Sequence, residues 1–163
     1  MKRILASIAT FACLAMAAQF AYAQQTRTDL TMRRALYLTG GKTDKIDTKN
    51  DKYVAENGTI TISQSNATKC EDGGCYFNVG FIAFRQPAAG ELSSYGLIKA
   101  AGNLVGNTIY FASKAGTKQG IFAVKLATGS NKVTFQIDPY QKTPEWDENN
   151  NSFSVTVIVE GKP

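Results

Sequence analysis

Hydrophobic and polar residues alternate most regularly near the C-terminal end of the chain. One stretch puts Val133, Phe135 and Ile137 on a single face, and a second stretch does the same with Phe153, Val155, Val157 and Val159. Alternation with a period of two is typical of a β-strand with one face buried and the other in water. We therefore predict two strands here, joined by a polar connection that contains Asp138-Pro139 and a run from Glu145 to Asn151.

The rest of the chain after residue 28 also reads as short strands separated by turns. The strongest signal is the run from Cys75 to Arg85, which is apolar on both faces and predicts a central strand. Leu92 to Val105 has no clear period, and its glycines disfavour a long helix. Gly40 to Lys52 is polar and predicts a solvated loop. Further strands are predicted at Asp29–Thr39, Gly58–Gln64, Asn107–Ala112 and Ile121–Leu126.

Seven or eight short strands with frequent glycine turns predict an all-β protein. A β-sandwich of antiparallel strands is the favoured arrangement, and a small closed barrel is the alternative.

The first 23 residues have the pattern of a secretory signal peptide. Lys2 and Arg3 precede an apolar stretch, and Ala21-Tyr22-Ala23 has the small residues of a cleavage site. We therefore predict export, with residues 24–163 as one domain of about 140 residues. No later segment is apolar for long enough to predict membrane insertion after cleavage.

Cys70 and Cys75 are the two cysteines that remain after cleavage at residue 23. A pair of cysteines in an exported protein predicts a disulfide. The residues between them, Glu71-Asp72-Gly73-Gly74, have the composition of a tight turn, so the bridge is expected to hold a loop in shape.

Charge and residue types limit the functions that the chain can have. Lys and Arg outnumber Asp and Glu by 18 to 13, and loss of Lys2 and Arg3 leaves 16 − 13 = +3. The basic residues are scattered, which disfavours nucleic-acid binding. The chain has no histidine, so triads that use histidine are excluded. Motifs for phosphate binding or metalloprotease chemistry are absent too, and we predict a protein that is not an enzyme.

The polar run from Glu145 to Asn151 has three interpretations. Its carboxylates and amides, at Glu145, Asp147, Glu148, Asn150 and Asn151, are typical of side chains that shape a turn. The same oxygen atoms are ligands that calcium prefers, although the regular calcium-loop motif is missing. The third interpretation is a loop that binds a partner.

Trp146, in the middle of this run, either closes the end of the sandwich or anchors a partner. Burial at the sandwich end is the favoured interpretation, because large aromatic residues are usually mostly buried.

Five tyrosines offer a second functional lead, as a platform on which sugars stack. They are Tyr37, Tyr53, Tyr95, Tyr110 and Tyr140. The sequence does not show which of them share a face.

Asp138-Pro139 followed by Glu145-Trp146-Asp147-Glu148-Asn149-Asn150-Asn151 resembles the last hairpin of the bacterial CARDB family, the cell-adhesion-related domains. The likeness extends in outline from Asp29 to Val159 and in detail from Leu126 to Val159. In the middle, Phe84 to Gly90 replaces the Asn-x-Gly turn that the family usually has. The resemblance implies an immunoglobulin-like β-sandwich that binds or displays and does not catalyse.

We therefore expect a bacterial binding or adhesion-type module in the periplasm or outside the cell. Its expected partner is an exported protein or a cell-surface polysaccharide, and no cofactor is expected unless calcium binds the polar run. Three alternatives remain. The first is a small enzyme inhibitor that uses the disulfide loop. The second is a carbohydrate-binding module that uses the tyrosines, and the third is a structural subunit that pairs through a free sheet edge.

Overall fold

Eleven strands and two short 3-10 helices, with no α-helix, make up the secondary structure of the residues described by the computed structural model. Those residues are 28–39, 46–47, 49–86, 92–100, 103–111 and 116–161. The signal sequence predicted at residues 1–23 lies outside them. The strands are β1 Leu30–Met32, β2 Ala35–Leu38, β3 Lys52–Ala55, β4 Thr59–Ser63, β5 Lys69–Glu71, β6 Gly74–Arg85, β7 Leu92–Ala100, β8 Asn103–Phe111, β9 Gly116–Leu126, β10 Gly129–Ile137 and β11 Ser152–Glu160.

One sheet has six strands and is organised around β6. Along one side, β6 pairs with β9 from Cys75 to Arg85. Along its other side lie β1, β2 and β5, and β3 follows β2. The prediction of a central strand at Cys75–Arg85 is therefore confirmed.

The other sheet has five strands in the order β4-β11-β10-β7-β8. The predicted C-terminal hairpin is its β10–β11 pair, in which Val133 lies opposite Val155 and Phe135 lies opposite Phe153. The described residues thus form eleven strands, more than the seven or eight predicted, and one neighbouring pair, β4–β11, is parallel. The β4 strand reaches β11 from a distant part of the chain, so alternation in the sequence did not reveal its direction.

The two sheets face each other and form the predicted all-β sandwich. Their inner faces bury one core, in which Phe81 of the first sheet lies edge-on to Phe135 of the second at 5.7 Å between ring centroids. Phe135 in turn stacks on Phe153 at 4.8 Å. All three rings are at least nine-tenths buried, so this aromatic group joins the sheets at the centre of the domain.

The ambiguous stretch after Leu92 forms β7 and the start of β8. Its glycines have a packing role. A Cβ on Gly96 would lie 2.7 Å from Ile109 Cδ1 and 3.1 Å from Phe81 Cζ, so the core is closed tightly against the bare backbone.

The prediction of a solvated loop from Gly40 to Lys52 is wrong at Ile46. This side chain is buried against the outer face of the six-stranded sheet, in a small apolar cluster with Ala35, Tyr37 and Ile82. Gly80 leaves the space that Ile46 fills, since a Cβ there would lie 2.7 Å from Ile46 Cδ1. Part of this segment therefore covers the sheet.

The part of the chain that the structure describes contains no helix that is long and apolar enough to cross a membrane.

Candidate functional site

The connection between β10 and β11, residues 138–151, forms a polar corner at one end of the sandwich, which we call the C-terminal corner. Its two most buried acidic groups are Glu145 and Asp138, each only 4% exposed. Glu145 Oε2 accepts a hydrogen bond from the Leu30 backbone N–H at 2.7 Å, and Oε1 accepts one from Asn151 Nδ2 at 3.1 Å. Glu145 therefore ties the first strand of the domain to its last connection.

Burial raises the pKa of Glu145 to about 7 from its ordinary value of 4.5. The hydrogen bonds from Leu30 and Asn151 act in the opposite direction, because they favour the carboxylate. The nearby charges of Glu148 and Asp138 raise the pKa further. Glu145 is thus a group whose charge changes near neutral pH.

The other acidic residues of the corner organise its backbone. Asp147 caps the 3-10 helix Glu148–Asn150, and its Oδ1 accepts from the Asn149 N–H at 2.9 Å. Glu148 Oε1 accepts from the Glu145 N–H at 3.3 Å. These contacts are those of side chains that shape a turn.

Two asparagines of the corner each have one buried oxygen with no hydrogen-bond partner. Asn150 Nδ2 donates to both carboxylate oxygens of Asp29 at 3.3 Å, and Asn151 Nδ2 donates to Glu145. The Oδ1 atoms of Asn150 and Asn151 remain without a donor. Among the described residues, no group of three or more His, Cys, Asp or Glu side chains is placed to hold a metal ion. Calcium binding at the corner therefore stays a prediction.

The favoured interpretation of Trp146 as a buried end plug is wrong. Its side chain is 57% exposed, on the outside of the C-terminal corner. The neighbouring Glu145 takes the inward position, where its carboxylate accepts hydrogen bonds from Leu30 and Asn151. Trp146 is thus available for contact with a partner.

A second surface lies on the side of the five-stranded sheet that faces away from the core. We call it the tyrosine–lysine face, and it consists of exposed or half-exposed side chains from β7, β8 and β10 and from the connection after β10. Its members are Tyr95, Lys99, Leu104, Tyr110, Lys132 and Tyr140. Tyr110, Leu104 and Tyr140 are 69%, 61% and 60% exposed.

Three of the five tyrosines considered from the sequence lie on this face, and two of them are in ring contact. Tyr95 and Tyr140 lie 5.9 Å apart between ring centroids. Tyr110 is opposite Ser93 and is therefore the diagonal neighbour of Tyr95 on the same side of the sheet. Tyr37 and Tyr53 form a separate pair on the six-stranded sheet, where Tyr37 is buried.

The two lysines of this face were not identified as functional residues from the sequence. Lys99 lies opposite Thr134 across β7–β10, and Lys132 is its diagonal neighbour. Both line an open depression of about 510 Å³, together with Ser130 and Thr134. The register between the two strands brings these lysines together, and residues 33 positions apart give no signal of that in the sequence.

Cys70 and Cys75 form the predicted disulfide across the β5–β6 hairpin. Gly73 in the turn has a φ of 82°, as expected for a glycine turn. Glu71 forms ion pairs with Lys69 and with Lys125, the second at 3.9 Å. All three residues of β5 are exposed, so this side of the hairpin faces solvent. The disulfide and the ion pairs of Glu71 hold its shape.

A smaller cavity of about 180 Å³ opens between the sheets, at the end where β2 and β4 approach each other. Leu38, Ile62 and Phe77 form its apolar wall, and Asn50 and Lys52 lie at its rim. Nothing identified from the sequence as a candidate functional residue lines it.

Comparison with solved structures identifies the fold. The crystal structure of the CARDB domain of the PF1109 protein from Pyrococcus furiosus, in complex with di-metal ions, is 15% identical and has a TM-score of 0.52. That match covers 82% of this chain and 89% of the other. A solution structure of the same domain is 14% identical, with a TM-score of 0.47, and the match covers 81% of this chain and 96% of the other.

The predicted resemblance to CARDB domains and the immunoglobulin-like sandwich are therefore confirmed at the level of the fold. No protein-family model matches the sequence, and no curated protein matches it significantly.

Proposed function

We propose that this protein is an exported, non-catalytic binding module of the adhesion type. It acts in the periplasm or outside the cell through contact with an exported protein or a cell-surface polymer. The fold it shares with CARDB domains agrees with this role.

The observation that carries the proposal is the tyrosine–lysine face. Tyr110, Leu104 and Tyr140 are large side chains with apolar surface, and each is more than half exposed on one side of one sheet. Leu104 lies opposite Lys99 and Tyr110 lies opposite Ser93, towards the two ends of β8, so the exposed apolar surface is spread along this face, as in an extended interaction surface. The rest of the same sheet face is mostly Ser, Thr and Lys, which is the usual composition of a wet face.

Export is supported by two features of the chain. Residues 1–23 combine a basic start, an apolar stretch and the Ala21-Tyr22-Ala23 cleavage pattern. The Cys70–Cys75 disulfide agrees with export, because disulfides are typical of proteins in oxidising compartments.

A non-catalytic role is supported by the position of the most perturbed acidic group. Glu145 has a pKa of about 7, which is a value suited to acid–base chemistry. However, its two oxygens are held by Leu30 and Asn151, at the place where the first strand meets the corner. The raised pKa follows from a structural position, and the chain has no histidine to act as a partner base.

Expression of the full chain in a Gram-negative host tests export. We expect the protein in the periplasm or the medium, with a mass that corresponds to cleavage after Ala23. A full-length product that stays in the cytoplasm would contradict the proposal.

Capture experiments with the purified mature protein test binding. The wild type, immobilised and incubated with native periplasm, medium and cell-wall fractions, is expected to retain a component that Tyr110→Ala and Tyr140→Ala retain weakly. Tyr53→Ala is the matched control, since Tyr53 is 65% exposed on the other sheet. Equal retention by all variants would show that binding does not use this face.

Calcium binding at the C-terminal corner is a second candidate property. It is favoured by the buried Oδ1 atoms of Asn150 and Asn151, which lack donors beside the carboxylates of Asp29 and Glu145. Oxygen atoms of these types are calcium ligands. The CARDB domain of PF1109 was crystallised with di-metal ions, although its sequence identity to this chain is low.

Thermal unfolding with calcium and with a chelator tests this candidate. A ligand at 100 times its Kd stabilises the folded state by about 2.7 kcal/mol, so calcium should raise Tm clearly. Asn151→Ala should abolish the difference. Identical melting curves of the wild type with calcium and with chelator would show that the corner does not bind calcium.

A further inference from the structure

We infer that the tyrosine–lysine face binds an acidic polysaccharide, whose sugar rings pack on the tyrosines and whose anionic groups pair with Lys99 and Lys132. The inference rests on the proposed function as a binding module and names the class of polymer that it binds.

The aromatic end of the face is built around Tyr95. Its ring crosses the neighbouring strand at Gly106, where a Cβ would lie 2.5 Å from Tyr95 Cε1 and 2.6 Å from Cζ. Tyr140 lies beside it at 5.9 Å with a tilt of 43°. Tyr110 is at the opposite diagonal position across β7–β8, away from Gly106. The paired rings of Tyr95 and Tyr140, with exposed Tyr110 farther along the same face, offer apolar surface to the C–H faces of sugars and hydrogen bonds to their hydroxyls.

The position of Tyr140 is set by buried Asp138. The Asp138 carboxylate accepts hydrogen bonds from the N–H groups of Lys142, at 3.1 Å, and Thr143, at 2.6 Å. Its own N–H donates to the Tyr95 carbonyl at 2.9 Å. The turn that carries Tyr140 is thus anchored to the strand that carries Tyr95. A platform ordered before binding loses little conformational entropy when a ligand arrives.

The cationic end of the face is Lys99 and Lys132, above a depression of about 510 Å³. Within the described part of the chain, neither lysine forms an ion pair with a carboxylate. Strands β7, β8 and β10 contain no Asp or Glu at all. Glu160 of β11 lies on the same sheet face, diagonal to Ser130, and the two lysines outnumber it, so the field of this end is positive and favours an anionic ligand. Ser130 and Thr134 add hydroxyl groups to the same depression.

The distance between the two ends indicates an extended ligand. Tyr95 and Lys99 are four residues apart on one strand, which corresponds to about 13 Å. One sugar does not reach from the rings to the lysines, whereas a linear chain does. Because the proposed location is outside the cytoplasm, we assign the polyanion to envelope or extracellular polysaccharide rather than to nucleic acid.

Affinity electrophoresis of the mature, disulfide-bonded protein tests the inference. Native gels that contain alginate or polygalacturonate, both linear polyuronates, are expected to retard the wild type. Gels that contain neutral dextran are not. Lys99→Gln/Lys132→Gln should weaken binding roughly tenfold, because the variant loses two exposed charge pairs with the polymer. Tyr110→Ala/Tyr140→Ala should weaken it to a similar degree.

Matched variants separate a site from general attraction to a polyanion. Lys49→Gln/Lys52→Gln makes the same change in net charge at two exposed lysines beside the other sheet. Tyr53→Ala removes a tyrosine of equal exposure from the other sheet. Both should bind as the wild type does, and circular dichroism should show the same strand content in every variant.

Three outcomes would overturn the inference. Equal weakening by the two lysine pairs would mean attraction by net charge alone. Full binding by the tyrosine variant would mean that no stacking occurs. Retardation by single-stranded DNA equal to that by alginate would mean that the ligand is not specifically a polysaccharide. If no polyuronate binds while the capture experiment still retains a protein partner, this inference fails and the proposed function stands.

Discussion

Glu145 accepts a hydrogen bond from the backbone N–H of Leu30 at 2.7 Å, across 115 residues of sequence. Leu30 is fully buried in the first strand, and Glu145 belongs to the last connection. The N-terminal strand and the C-terminal corner are thus joined by a carboxylate whose pKa is raised to about 7. The corner is coupled to the stability of the whole sandwich through this contact.

The stability of the wild type is expected to decrease as pH rises through neutrality. The folded-state pKa of Glu145 lies above its ordinary value of 4.5, so between those values the folded protein binds more protons than the unfolded chain. The stabilisation is fully present below about pH 4.5 and is lost as pH rises through 7, by on the order of 1–3 kcal/mol. Urea unfolding at pH 5 and pH 8 measures it.

Glu145→Gln tests the origin of that pH dependence. Glutamine keeps the acceptor for Leu30, and its amide can donate to Asn151 Oδ1, which has no partner now, if the Asn151 amide turns over. The difference in unfolding free energy between pH 5 and pH 8 should shrink in this variant. Glu160→Gln, at an exposed position, should keep the wild-type difference. An unchanged difference in Glu145→Gln would show that another group is responsible.

Gly106→Ala is expected to displace the Tyr95 ring, because the new methyl group would occupy the place of the ring edge. The atoms that it would meet are at the far end of a half-exposed side chain, so the ring can move aside and we expect a loss of under about 1 kcal/mol. Thermal unfolding measures the loss. Gly161→Ala is the matched control, since a Cβ there meets nothing within 4 Å. Equal Tm values for the two variants would contradict the packing of Tyr95 on Gly106.

Ile46 and Gly80 are expected to be energetically coupled. Gly80→Ala should destabilise the protein because its methyl group would meet Ile46 Cδ1. Ile46→Ala should destabilise it by removing an apolar side chain from the cluster on the outer face of the six-stranded sheet. The double variant should lose less stability than the sum of the two, by about 0.5 kcal/mol or more. Additive losses would mean that the two sites do not touch.

Trp146→Ala should leave the free energy of unfolding within about 0.5 kcal/mol of the wild type, because the side chain is 57% exposed. It is the only tryptophan of the chain, so fluorescence reports on it alone. Acrylamide should quench the folded protein nearly as well as the unfolded one. A loss of several kcal/mol in the free energy of unfolding, or protection from quenching, would show that Trp146 is buried after all.

Replacement of exposed Cys70 by Ser and of buried Cys75 by Ala should lower the free energy of unfolding by about 2 kcal/mol, the value for a short closed loop. The hairpin lies outside the central aromatic group, so unfolding should remain cooperative. Urea titration of the variant, beside the wild type with and without reductant, measures the loss. If the variant does not fold, the bridge has a larger role than bracing the hairpin.

Strands with regular alternation were predictable, and the stretch after Leu92, which glycines interrupt, was not. Val133 to Ile137 and Phe153 to Val159 were identified because one face of each is buried and the other is wet. The stretch after Leu92 was ambiguous, since Gly96 and Gly106 interrupt its pattern. These glycines are explained by packing, because the Ile109 side chain occupies the space beside Gly96 and the Tyr95 ring occupies the space beside Gly106.

Local chemistry of the candidate site was visible in the sequence, and its long-range contacts were not. The run from Asp147 to Asn150 read as turn-forming, and it forms a capped 3-10 turn. Nothing local indicated that Trp146 would face solvent while Glu145 faced inward. Likewise, no sequence signal paired Lys99 with Lys132, because the register of β7 and β10 brings them together.

The sequence by itself determined that this is an all-β domain with a C-terminal hairpin, a central strand at Cys75–Arg85 and a disulfide turn, because those features depend on neighbouring residues. Only the tertiary structure decided that β4 runs parallel to β11, that Ile46 covers a sheet, and that three tyrosines and two lysines share one face. These depend on which strands pair and in what register. Strand pairing joins residues far apart in the chain. It is therefore selected by contacts that form only when the sheets assemble.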